Sequence, residues 1–103
     1  MQQITLTEFI DSMVSHGDHI VLHLPLPSTL ARARHLSETI ARLLDATLEN
    51  EYLGADRFQV SIVHPSFAVH LCVEWLCESV WLTPISASES ALKALVDHAK
   101  AQQ

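Results

Sequence analysis

STLARARHLSETIARLLDATLENEYLG, residues 28–54, reads as one long helix from Ser28, or the proline before it, to about Leu53. Its apolar stripe is Leu36, Ile40, Leu43 and Leu44, extended by Thr47 and Leu48, with Leu30 and Tyr52 near the ends. Ala31, Ala33, Ala41 and Ala46 raise the helix propensity and allow close approach to a neighbour. Arg34, Glu38 and Arg42 recur at four-residue spacing, which suits paired charges on a solvated side. Gly54 supplies the stop. Strands before and after such a helix would be joined by a right-handed crossover and so run parallel.

Upstream, HIVLHLPL (residues 19–26) alternates Ile20, Leu22 and Leu24 against Val21 and His23, a strand closed by Pro25 and Pro27. Before it, Thr5 and Glu8 form a capping box for a helix with the stripe Leu6, Phe9, Ile10, Met13 and Val14. Gly17 is placed to end that helix as a left-handed cap. Downstream the period changes to two. FQVSIV (58–63), AVHLCVEW (68–75) and SVWLTPI (79–85) read as a three-strand meander turned by HPSF and LCES. Ser86 with Glu89 is a second capping box, and Leu92, Leu95, Val96 and Ala99 give the last helix its apolar side.

The predicted order is α-β-α-β-β-β-α over a single domain, residues 1–103. It implies an α+β protein of two layers, a four-stranded mixed sheet with the helices on one face. A long helix followed by a three-strand meander and a helix is similar to the element order of roadblock-type dimeric modules. That likeness is one of order alone, carried by no sequence motif.

Alternation then divides the strands. Ile20, Leu22, Leu24, Phe58, Val60, Ile62, Val69, Leu71, Val73, Trp75, Val80 and Leu82 face the helices. The far side carries Val21, His23, Gln59, Ser61, Val63, His70, Cys72, Glu74, Ser79, Trp81 and Thr83. This mixture of small polar groups, two histidines, a thiol and an indole suits a recognition surface better than a solvated one.

Composition restricts the function. The chain of 103 residues is 49% hydrophobic and only 17% charged, so a covered surface, and with it self-association, is expected. Its net charge of −6 comes from 12 acidic and 6 scattered basic residues. No basic stripe is present for nucleic acid, and an anionic membrane would repel the chain. Two glycines leave no room for a phosphate-binding loop. The beginning MQQITLTEF has neither the basic nor the apolar region of a secretory signal, and Cys72 and Cys77 lack zinc-type spacing. A cytoplasmic protein with reduced thiols is expected.

His70, Cys72 and Glu74 alternate along one strand, so their side chains project to the same side. They are the metal-ligand candidates, with His23 or His64 assisting, although no close ligand pair marks a zinc site. SHGDH (15–19) reads as a helix end, with His16 favouring the dipole and Asp18 capping the turn. His35 and Glu38 fall on a solvated helix side, and Asp45 and Glu49 share another. His98 sits where a helix C-terminus favours positive charge.

The expected function is a small acidic, non-enzymatic protein-binding module, of adaptor, inhibitor, immunity or chaperone type, working as a homodimer or against a protein partner. It would dock through His23, His70, Cys72, Glu74 and Trp81, with Trp81 as the apolar anchor, and need no cofactor. The alternative is a small metal- or thiol-dependent enzyme built on His70, Cys72 and Glu74.

Overall fold

A computed structural model describes residues 4–86 and 90–103. The elements are α1 (Leu6–Ser12), β1 (Met13–Ser15), β2 (Ile20–Leu22), α2 (Leu30–Leu43), β3 (Thr47–Leu53), β4 (Arg57–His64), β5 (Phe67–Glu74), β6 (Ser79–Pro84) and α3 (Ser90–Ala101). The strands form one six-stranded sheet in the order β1-β2-β6-β5-β4-β3, every neighbouring pair antiparallel. The α+β class stands, but the expected four-stranded mixed sheet does not, and among the described residues every strand pair is antiparallel, so the expected parallel crossover is absent there.

The difference arises at two helix ends. The predicted helix of residues 28–53 begins later, with Thr29 as N-cap accepting from the Arg32 amide at 3.1 Å. It also stops ten residues early. The Ala46 N–H donates to the Ala41 carbonyl at 2.8 Å and the Asp45 N–H to the Arg42 carbonyl at 3.2 Å. That pair of bonds is a Schellman closure, and Asp45 takes the left-handed conformation it needs, φ 54°. Thr47–Leu53 is then an edge strand paired with β4, carrying a bulge between Glu49 and Tyr52 where Asn50 has φ 54°. Asp45 and Glu49 consequently do not share a helix side. Arg34 pairs across to Glu51, its Nη2 2.7 Å from Oε2, rather than along its own helix.

At the N-terminus the Thr5–Glu8 capping box forms as predicted. Its helix ends at Ser12, however, because Met13, Val14 and Ser15 pair with Leu22, Val21 and Ile20. Gly17, at φ 85°, turns this hairpin and caps no helix. SHGDH is the hairpin loop: His16 stacks on His19 at 5.2 Å, and His19 Nδ1 lies 2.7 Å from Asp18 Oδ1. The two additional strands also end the likeness to roadblock-type order, since β3 stands between the helix and the meander. The meander itself lies where the period-two pattern put it. Of the second capping box, Glu89 lies outside the described residues.

Packing follows the alternation. Ile20, Leu22, Phe58, Val60, Ile62, Leu71 and Leu82 are buried in one core with Phe9 of α1, Ile40 and Leu44 near the end of α2, and Leu95 of α3. All three helices therefore cover one face. Trp75, just beyond β5, packs against this core and donates its indole N–H to the Pro27 carbonyl at 2.6 Å, fastening the β2–α2 loop. His98 does not serve its own helix end; its Nε2 lies 2.7 Å from the Leu44 carbonyl, joining α3 to the end of α2. His64 and Phe67 lie against the same imidazole at 4.2 and 5.6 Å.

Candidate functional site

The strand register assembles the uncovered face. Val14 faces Val21, Val21 faces Trp81, Trp81 faces Cys72, Cys72 faces Gln59 and Gln59 faces Tyr52. One row thus crosses the sheet from edge to edge without a charged side chain. The row on one side is Ser79, Glu74 and Arg57; on the other it is Thr83, His70, Ser61 and Glu49. Both ends of the central row are open, with Val14 42% and Tyr52 58% exposed.

Its centre is closed by the protein's own side chains. Arg57 lies across the sheet, with Nη2 donating to Gln59 Oε1 at 2.8 Å and to Cys72 Sγ at 3.3 Å. Nη1 stands 3.3 Å from Glu74 Oε1, and the guanidinium carbon is 5.8 Å from the Trp81 ring centre. Cys72, expected on the open side, does point there, yet it is 0% exposed beneath these groups. Burial pushes its thiol above the usual range, and the Arg57 guanidinium offsets only part of that rise. His70 moves the other way: burial lowers it first, and the positive charge of Arg57 adds to the effect. His70 Nδ1 is 3.3 Å from Ser61 Oγ.

Trp81 is half-buried rather than a bare anchor. Its ring meets that of His19 in a T-shaped contact at 5.7 Å, and Nε of Arg57 is buried without a hydrogen-bond partner among the described residues. Of the five face residues named from sequence, Trp81 and Cys72 are direct neighbours and Glu74 joins them through Arg57. His70 occupies the next row. His23 does not join: β2 ends at Leu22, and His23 is exposed beyond it, its N–H donating to the Ser12 carbonyl at 2.8 Å. Sequence reasoning missed Arg57 as the organiser, although its parity with Gln59 and Ser61 puts it on this face. Tyr52 was hidden by the helical reading of β3.

As a ligand set, His70, Cys72 and Glu74 fare poorly. Cys72 and Glu74 are both engaged with Arg57, and no group of three or more His, Cys, Asp or Glu placed to hold a metal occurs among the described residues.

Fold and face together define a small α+β protein with a six-stranded antiparallel sheet, helices on one side and a charge-poor sheet face on the other. The chain belongs to the family described as protein of unknown function (DUF3630), which matches residues 10–98. No curated protein and no solved structure matches it. Among the described residues no helix is long and apolar enough to cross a membrane.

Proposed function

We propose that this chain is a non-enzymatic docking module that pairs with a second copy of itself through the uncovered sheet face. The observation carrying this reading is the uncharged row Val14–Val21–Trp81–Cys72–Gln59–Tyr52, in a chain whose net charge is −6. The only charged strand residues beside that row are Glu49 and the Arg57–Glu74 pair, and both lysines are on α3. Depletion of charge around an aromatic centre is the compositional mark of an interface core. Strand spacing gives six strands a width of about 24 Å, and a face of that size is of the order of the ~800 Å² that each partner of a standard interface buries.

Sedimentation of the wild type, Trp81→Ala and Tyr52→Glu tests this. The expected result is a dimeric wild type and two monomeric variants whose circular dichroism is unchanged. Tyr52 is exposed at a sheet edge, so its replacement separates docking from folding even if the Trp81 variant unfolds. A wild type that stays monomeric to about 100 μM overturns self-association. The metal- or thiol-dependent enzyme has no observation in its favour, because the Cys72 thiol is buried and held protonated.

A further inference from the structure

A second feature lies within the helical layer. Arg32, His35, Leu36 and Thr39, at i, i+3, i+4 and i+7, share a second side of α2, from which Leu36 also packs against the core. With Ile4, Glu8 and the loop of residues 24–27 this side lines a half-open cavity of about 350 Å³. The walls are mainly aliphatic: Ile4, Leu24, Leu26 and Leu36, with Pro25 and Pro27. That volume is at the small end of the ~300–1,000 Å³ typical of ligand sites.

Its polar groups are unusual. Nε2 of His35 and Oγ1 of Thr39 are both buried and have no hydrogen-bond partner among the described residues, and Thr39 is only 1% exposed. A buried hydroxyl on a helix ordinarily bonds back to a carbonyl of the preceding turn. Ser12 does so, to Phe9 at 2.6 Å, and Ser37 does so, to Arg34 at 2.7 Å. Thr39 does not, and His35, one turn earlier, is its neighbour on the cavity wall. His35 was expected on a solvated side; the structure places it here. The charges at this cavity also differ. Glu8 is committed to the capping box through Oε1, whereas Arg32 makes no ion pair among the described residues. The first turn of α2 holds no acidic residue, so the positive end of its dipole is unopposed there.

We infer that this cavity binds a small aliphatic carboxylate. The hydrocarbon body fits among Ile4, Leu24, Leu26 and Leu36. Once their side chains turn into the cavity, the Thr39 hydroxyl donates to one carboxylate oxygen and His35 Nε2–H to the other, with Arg32 and the helix start supplying positive potential. The site is independent of the docking face, since no strand residue lines it.

Octanoate is the probe, with 1-octanol as its uncharged equivalent, read by NMR. The Trp75 indole N–H signal reports on the cavity through its bond to the Pro27 carbonyl, and the Trp81 indole on the opposite face is the internal control. Octanoate is expected to saturate, shifting the Trp75 signal and the methyls of Leu24 and Leu26 while Trp81 stays still. Arg32→Gln should weaken binding about tenfold. Thr39→Val should weaken binding yet raise the melting temperature of the free protein, because it removes a hydroxyl without a partner. No saturation by about 10 mM octanoate overturns the proposal. So does equal binding of octanol, which would leave the charged head without a role. A lower melting temperature in Thr39→Val overturns it as well, by giving that hydroxyl a structural partner.

Discussion

Cys72 shows how far one residue's chemistry departs from its place in a pattern. Alternation correctly sets it on the side away from the helices, where it looks like a nucleophile or a ligand. Arg57, Gln59 and Trp81 then close over it, and burial keeps its thiol protonated. Cys77 is exposed in the following turn, though hydrogen bonding to Glu74 first, and burial next, also raise its thiol. Iodoacetamide followed by mass spectrometry should therefore label Cys77 slowly in the folded protein and reach Cys72 only on unfolding; rapid native labelling of Cys72 would contradict this cover. His70 gives a pH dependence with a definite sign. Its folded value lies below the ordinary ~6.5, so the unfolded chain takes up the proton first as pH falls. Its contribution to stability is whole above that ordinary value and is lost as pH falls through the folded one. Urea midpoints at about pH 7.5 and about pH 5.5 should show a smaller acid loss in His70→Gln than in the wild type.

Among the elements, everything turns on where α2 ends. Residues 44–54 keep a helical apolar spacing and good helix formers, and glycine, the usual left-handed cap, is absent at 45. Asp45 and Asn50 take that conformation instead, both of them residue types that tolerate it. The tertiary gain that decides the contest is pairing: Thr47–Leu53 meets β4 at five positions, and Leu48 packs against the core. Asp45→Gly should accordingly stabilise the protein by about 0.5 kcal/mol, and Asp45→Val should destabilise it by about 1–2 kcal/mol, as read from chemical denaturation. Equal stability of the two variants would remove the left-handed cap as the reason for the break. The first hairpin was obscured in the same way, since Met13 and Val14 extend the stripe of α1 by one turn while pairing with β2. By contrast, the meander was legible, because three runs of strict alternation are separated by short turns and no helical period competes with them.

Taken whole, the molecule is a sheet closed on one side. The edges differ: β1 has three residues, while β3 has seven but is bulged and carries Glu49 and Glu51. Such features discourage the pairing of strands edge to edge, which leaves the broad face as the surface for association. Amide exchange should be slowest in β5 and β6 at the centre of the order and fastest in β1. If the face docks a second copy, the amides of β6 and β2 should gain protection with protein concentration and those of α2 should not. The cavity beside α2 predicts the reverse, protection of the residue 24–27 loop by octanoate at any concentration of protein.

By itself, the sequence determined the α+β class, both faces of the meander, the capping box of α1 and the parity that puts Trp81, Cys72 and Glu74 together. Each of these depends on neighbours a few residues apart, where side-chain period and capping chemistry act directly. Only the tertiary structure decided that residues 47–53 and 13–15 are strands, that Arg57 closes over Cys72, and that His35 and Thr39 line a cavity. Those outcomes rest on hydrogen bonds and burial contributed by chain segments distant in sequence, which outweigh a local helical preference worth only a few tenths of a kcal/mol per residue, roughly.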